Sequence, residues 1–383
     1  MIARFIDFAL FHNHIQMNAI IAVLIIGACA FFVRSAEKDE PLIIKHADRF
    51  DYVNRGGVQV QKLMGRVEME HKGALVTSDS AIHFQREERI DFSGRVHMLF
   101  KTQSIDADKV TYFKRDTTTF AKGNVVIVDT EQRARITGGE GRYVNTNEES
   151  TVRINPVFTR LDSSGKDTMT IVSKVMKHYG RGKKAVAIDS VVMTQGKTRA
   201  TCGLAEYFKQ QDRAVLLDAP RVRHDKNTLE GDTLTLFFKN NKLDHIMVVG
   251  KAVARMVEEK PRNPDSTKIS ILNGDTLFAF LDSGAINRME IRSRAIGISY
   301  ALHDSVRINR LTGKYMEFFF SGNAVDSVHV SGNATSLYFY EEAVSDRGKN
   351  ETSGDSLNIY FAENRVARIL AAGGVRGAYL REE

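Results

Sequence analysis

Tryptophan is absent from these 383 residues, and cysteine and proline are scarce, at two and five copies. Cys29 and Cys202 build neither a disulfide framework nor a metal centre, because both need several convergent ligands at short spacing. Cys202 reads as a small strand residue. The 11 histidines are scattered, with no Ser-His-Asp signature and no metal-ligand spacing. No long helical period of apolar residues runs through the chain. Also missing is a tract of one charge sign. The 54 Lys and Arg interleave with 47 Asp and Glu, so the formal charge of +7 is spread through turns and strand edges. Nucleic-acid binders cluster their cations, and that class is set aside. Surplus Lys and Arg near a groove mouth would instead attract phosphorylated or acidic amphiphiles.

One uninterrupted apolar run exists, Ala19 to Val33, followed by Arg34 and then acidic and polar residues. Its length of about 15 residues lies between a signal-peptide core and the roughly 20 needed to span a bilayer. Ala28-Cys29-Ala30 has the small-x-small form of a cleavage site, whereas Phe31-Phe32-Val33 continues the run as an uncleaved anchor would. Ile26-Gly27-Ala28-Cys29 faintly resembles a lipoprotein box. All three readings place residues 37 onward outside the cytoplasm, with 1–36 as signal peptide or single membrane anchor.

What the chain has in abundance is repetition. Thr233 to Phe238 is β-branched and aromatic, Lys239 to Lys242 is a polar turn with two Asn, and Leu243 to Val249 is β-prone again before Gly250 breaks the run. The unit recurs: Gly231 and Gly250, Gly313 and Gly332, and Gly354 and Gly373 are each 19 positions apart, and Gly274 opens a fourth copy with Ser293 in the second place. Asp232-Thr233-Leu234 returns as Asp275-Thr276-Leu277 and Asp355-Ser356-Leu357. Shorter copies fill the first half, with Tyr112 preceding Gly123 by 11 positions and Tyr143 preceding Asn155 by 12. A period of about 40 residues is that of an array in which each unit packs on its neighbours. About ten hairpin units, hence about twenty strands, are expected. Short hairpins occupy 37–255 and longer ones 270–383. Residues 256–269, which hold Pro261 and Pro264 among charged residues, read as a loop or hinge.

Side chains on a strand alternate between faces. Leu234, Leu236 and Phe238 therefore share a face and register with Leu277, Ala279 and Leu281, with Met316, Phe318 and Phe320, and with Leu357, Ile359 and Phe361. The opposite face carries Phe237, Phe278, Phe280, Phe319 and Tyr360, which departs from clean alternation. The lined face can interdigitate into a dry core about 10 Å thick, or splay so that hydrocarbon fills the gap. Paired carboxylates could serve glycoside hydrolysis. Asp79, Asp108, Asp232, Asp275 and Asp355, however, recur at one point of each repeat and read better as turn formers.

Ile43-Ile44-Lys45-His46-Ala47-Asp48-Arg49, Leu63-Met64-Gly65-Arg66-Val67-Glu68-Met69-Glu70-His71, Thr77-Ser78-Asp79-Ser80-Ala81 and Phe92-Ser93-Gly94-Arg95-Val96 resemble the organic-solvent-tolerance (OstA-like) family. Ile105-Asp106-Ala107-Asp108-Lys109-Val110-Thr111-Tyr112 with Lys122-Gly123-Asn124-Val125 is the most family-like repeat. The likeness covers about residues 43–255 and extends over 270–380 through the longer repeats. Such bridge-type proteins of lipopolysaccharide export include those of LptA and LptC type. The resemblance implies an all-β fold, an elongated antiparallel β-jelly-roll or β-taco of tandem hairpins behind one N-terminal hydrophobic helix. It also implies a non-enzymatic periplasmic protein without cofactor or metal. Such a protein shelters lipopolysaccharide acyl chains in an apolar groove and joins other jelly-roll proteins, and a tether to the inner membrane is compatible with it. The implied groove lining is Val110, Tyr112, Leu234, Leu236, Phe238, Leu277, Leu281, Met316, Phe318, Phe320, Leu357, Ile359 and Phe361. A repetitive structural or adhesive β-solenoid with a dry interior, binding polysaccharide or protein through exposed rings such as Phe237 and Tyr360, is the other reading.

Overall fold

The computed structural model describes residues 41–381, apart from 56–57, 132, 145–148, 162–166, 181–182, 240–241, 261–262, 283–284, 303, 305, 322–323, 344–345 and 363–364. The expected N-terminal hydrophobic helix lies outside the described residues, as do both Asn of the Lys239–Lys242 turn. Among the described residues no helix is long and apolar enough to cross a membrane. Two compact units emerge. One holds the described residues up to Gly196 together with Gly203–Gln211, and the other holds Lys197–Cys202 and the residues from Asp212 on.

The first unit runs β1 (Ile43–His46), β2 (Arg49–Arg55), β3 (Val58–His71), β4 (Ala74–Phe84), β5 (Arg89–Phe100), β6 (Gln103–Phe113), β7 (Thr118–Asp129), β8 (Ala134–Val144), β9 (Glu149–Arg153), β10 (Val157–Leu161), β11 (Asp167–Val172), β12 (Val175–Tyr179) and β13 (Lys184–Gln195). Strand β14 (Thr198–Phe208) contributes to both units. The second continues with β15 (Arg213–Leu217), β16 (Arg221–His224), β17 (Asn227–Glu230), β18 (Thr233–Lys239), β19 (Lys242–Lys260), β20 (Asn263–Asp282), β21 (Ala285–Ala301), β22 (Asn309–Ser321), β23 (Ala324–Ala343), β24 (Asp346–Ala362), β25 (Arg365–Ala372) and β26 (Arg376–Arg381). The pairings are antiparallel hairpin ladders, such as β3 with β4 and β22 with β23.

Each pass of the chain is bent once. In β3 to β7 the ladder register breaks between Met64 and Val67, Thr77 and Ser80, Ser93 and Val96, Asp106 and Lys109, and Lys122 and Val125. In the second unit it breaks between Val249 and Ala252, Asn273 and Thr276, Arg292 and Ala295, Thr312 and Tyr315, and Ser331 and Ala334. An extra residue on one strand kinks it and sharpens its twist, and a row of such bulges folds a ladder along a line. Each unit therefore has two facing layers that share the same strands and meet at a corner. Six passes are cut into two segments at the corner, so the 26 described segments make twenty passes, as the repeats predicted.

Every second pass turns the corner on two consecutive residues in the left-handed region: Gly65-Arg66, Gly94-Arg95, Gly123-Asn124, Ile154-Asn155, Asp189-Ser190, Asp218-Ala219, Gly250-Lys251, Ser293-Arg294, Gly332-Asn333 and Gly373-Gly374. That conformation is free for glycine and costs other residues about 1–2 kcal/mol, which explains why glycine recurs there. Two sequence readings change as a result. Gly250 bends β19 without ending it, because the strand pairs on both sides of the corner. Residues 256–269 are mostly strand, since β19 runs to Lys260 and β20 starts at Asn263. Pro264 is the second residue of β20, near a strand start where proline is tolerated, and the β19–β20 register shifts between Glu258 and Lys260.

Candidate functional site: an apolar interior between two layers

The corner is built by charge as well as by glycine. On the passes between the left-handed pairs stand Asp48, Asp79, Asp108, Asp232, Asp275 and Asp355. Arg66 Nε donates to Asp48 Oδ1 at 3.0 Å, and Arg95 Nε donates to Asp79 Oδ1 at 3.0 Å. Asn124 Nδ2 donates to Asp108 Oδ2 at 3.1 Å, and Arg294 Nε to Asp275 Oδ1 at 3.0 Å. In the Lys174–Asp189 pair, 2.6 Å apart, the partners are exchanged. The hydrogen bond from Arg66 holds the Asp48 carboxyl below the usual carboxylate range, and that from Arg95 does the same for Asp79. Lys174, then Ser190, lower Asp189. The recurrent aspartates thus close corners one pass at a time, the turn-forming role the repeats suggested. Among the described residues no three His, Cys, Asp or Glu converge as metal ligands would.

Between the layers lies the lining read from the sequence, now sorted by depth. Nearest the corner, Leu234, Leu277, Met316 and Leu357 are fully buried, in one row completed by Val248, Ile291 and Val330. In the next row Leu236, Ala279, Phe318 and Ile359 are buried alongside Ile246, Met289 and Val328. Phe238, Leu281, Phe320 and Phe361, last before the turns, are only half-buried. They form the rim of the interior on the side away from the corner.

The opposing face of the second unit escaped the sequence reading. Near the corner it is made mostly of small residues, Ala252, Ala254, Ala295, Gly297 and Ala334 beside Leu272 and Leu311, with Ser270, Ser299 and Ser336 buried among them and the larger Met256 and Tyr338 further along. Ser270 donates to Ser299 at 3.3 Å. A Cβ placed on Gly297 would lie 3.3 Å from Leu272 Cδ2 and 3.9 Å from Met316 Sδ, so the small face is packed against the large one. The signal was available in the alternation of the second half of each repeat, where small residues replace Leu and Phe.

The first unit repeats the arrangement with Leu63, Ile90, Phe92 and Val110 on one layer and Met69, Val76, Met98 and Ile127 on the other. Val110 is buried. Tyr112 is half-buried, and its hydroxyl lies 3.1 Å from His71 Nδ1 on the facing layer, with the rings edge to face at 5.7 Å. Burial pushes the Tyr112 phenol up, so it stays protonated over the physiological range. Behind that bridge a cavity of about 20 Å³ is lined by Met69, Ile90, Phe92 and Met98, and another of about 30 Å³ by Ile105, Ala121, Ile127, Ile136, Val152 and Met176. Spaces of that size hold about one water each. In these places the two apolar faces interdigitate.

The edges are less well covered. Ile43, Ile44, Phe50 and Tyr52 are exposed on β1 and β2, and Leu370, Tyr379 and Leu380 on β25 and β26.

Residues 39–139 match the family model for OstA-like proteins. The OstA-like character read from the sequence is borne out over that stretch. No curated protein matches the chain. Among solved structures the chain is similar to LptH of Pseudomonas aeruginosa, the LptA-homologous periplasmic component of the conserved lipopolysaccharide transport device. Identity is 19%, over 35% of this chain and 82% of LptH, with a TM-score of 0.27.

Proposed function

We propose, from the OstA-like character of residues 39–139, that the chain is a periplasmic bridge protein that binds lipopolysaccharide and shelters its acyl chains between the two layers. The observation that carries the reading is the depth order of the lining. Buried rows of Leu, Met, Ile and Phe end in a half-buried apolar rim formed by Phe238, Leu281, Phe320 and Phe361. Hydrocarbon arriving at such a rim gains about 0.8 kcal/mol per buried CH₂. Because the layers are joined at the corner, the side chains beyond the rim can part as a tail enters. Non-specific apolar contact suits transit better than capture, and the role is binding, without catalysis. The exposed apolar residues of β1, β2, β25 and β26 suit pairing with the edge strands of other jelly-roll proteins of the same transport route. An N-terminal signal, or a tether at about residues 17–33, would deliver the protein to the periplasm.

Photo-crosslinking residues at Phe320 and Phe318, each compared with one at outward-facing Phe319, test this reading in cells. Lipopolysaccharide adducts at Phe320 and Phe318 and none at Phe319 are expected; adducts confined to Phe319 would overturn it. A second reading, a repetitive scaffold with a dry interior, draws support from the voids of about 20 and 30 Å³ between closely packed faces. It predicts no adduct at Phe318.

A further inference from the structure

The outward face of the layer that carries Phe318 in the second unit holds a second ordered row, outside the interior. Adjacent strands place Phe237 opposite His245, His245 opposite Phe280, and Phe280 opposite Arg288. Planar groups stack along it. Phe237 and His245 have ring centroids 4.3 Å apart at 13°, His245 and Phe280 lie 5.6 Å apart, and Arg288 Cζ sits 4.0 Å from the Phe280 centroid. The alternation is aromatic, cationic or imidazole, aromatic, cationic.

The row then continues to Phe319, opposite Arg288, to Ser327, opposite Phe319, and to Tyr360, opposite Ser327. By the alternation a planar cation belongs where Ser327 stands, and a serine is too short to fill the space between its neighbours. Phe319 and Tyr360 are accordingly 39% and 41% exposed. Strands are about 4.8 Å apart, so the two rings, two strands apart, stand about 10 Å from each other. A group midway lies about 5 Å from each centroid, inside the roughly 6 Å reach of a cation–π contact. Arg288 on Phe280 and Arg292 on Phe278, at 4.0 and 4.5 Å, are local precedents for that geometry. At the base of the interval, Ser327 Oγ donates to Asp326 Oδ2 at 3.1 Å, which brings a carboxylate beside the gap. Asp326 is exposed, and its carboxylate can accept from an incoming donor.

We propose that the interval between Phe319 and Tyr360 is a binding slot for a guanidinium group, the side chain of an arginine on a partner protein. The chain's own Arg288, stacked on Phe280 in the preceding interval, favours guanidinium over ammonium. A planar cation presents its face to both rings and keeps its N–H edge for the Asp326 carboxylate. The slot is open on a sheet surface and only one side chain wide, which suits an arginine projecting from another surface. It does not use the interior, so it stands independently of lipid binding.

The test uses the full chain labelled with 3-fluorotyrosine, with the Tyr360 fluorine resonance assigned by Tyr360→Phe. N-acetyl-arginine amide should shift that resonance saturably and bind about fivefold or more tightly than the neutral, near-isosteric N-acetyl-citrulline amide. Phe319→Ser and Asp326→Asn should each weaken the response severalfold. Ser327→Arg should abolish it and raise the melting temperature, because the slot is then filled from within. Phe319 and Asp326 are exposed and Ser327 is half-buried on the outward face, and circular dichroism of each variant is to check that the fold is kept. Equal binding of citrulline amide, an undiminished response in Ser327→Arg, or no saturable shift at all would overturn the proposal. Tighter binding of N-acetyl-lysine amide would overturn the assignment to guanidinium.

Discussion

Replacing Gly94 by alanine probes the device on which the two layers depend. Gly94 sits at φ +78°, and a Cβ there would lie 2.4 Å from Asp79 Oδ2, 2.9 Å from Asp79 Cβ and 3.0 Å from Asp79 Cγ. The carboxylate can swing away at the expense of its bonds to Arg95, but the Asp79 Cβ is fixed to the backbone and cannot. Left-handed strain alone costs about 1–2 kcal/mol, and relief of the overlap by backbone movement adds a similar amount. Gly94→Ala should therefore destabilise by about 2–4 kcal/mol, read as a fall in the urea midpoint followed by circular dichroism. Asp79→Gly removes all three overlapping atoms. In the double variant only the φ strain remains, so the cycle should show a favourable coupling of about 1–2 kcal/mol. A near-neutral Gly94→Ala, or strict additivity of the two changes, would refute the account of the corner.

Neighbours on one strand should behave in opposite ways: Phe318→Ala, in the packed interior, should cost about 3–5 kcal/mol, whereas Phe319→Ala, on the outward face, should stay within about 0.5 kcal/mol by the same measurement. Tyr112→Phe removes the bond to His71 and should cost about 0.5–1.5 kcal/mol, with faster hydrogen exchange in β3 and β6 as the companion readout. The native carboxyls of Asp48, Asp79 and Asp189 are lowered, so their contribution is complete above the unfolded-state pKa of about 3.9 and is lost as pH falls through the lowered native values. Urea midpoints measured from pH 5 down to pH 2.5 should fall along that limb, and Arg95→Gln, which removes the partner of Asp79, should flatten it. Burial, then the charges of Glu290 and Glu317, push the Tyr315 phenol up to about 12, so the alkaline ultraviolet titration should lose a late step in Tyr315→Phe.

Much of the fold was legible because it is periodic. The spacing of Gly231 and Gly250, and of their copies, marks the pitch of the passes, and alternation along Leu234, Leu236 and Phe238 gives the register of the interior rows. Both are local properties: a strand's side chains alternate regardless of their packing partners, and a left-handed position prefers glycine regardless of its neighbours. The aspartates were recognised as turn formers for the same reason, since they recur at one phase of the repeat. Even so, Gly250 read as a stop. Its bend depends on a ladder that resumes beyond it, and that ladder pairs Ala252 with Gly274 and Val253 with Asn273 on the next strand.

Sequence by itself determined twenty extended passes, their order, and which residues share a face, because hairpin pairing between neighbours and a period of two leave few alternatives. Tertiary structure alone decided that every pass folds at a corner and that small residues such as Gly297 oppose Met316. It also decided that Phe238, Leu281, Phe320 and Phe361 stand at a rim while Leu234 and Phe318 are sealed, and that Phe319 and Tyr360 flank Ser327 on the outward face. Depth and opposition are relations between strand halves brought face to face by the bend, and no single strand's pattern encodes them.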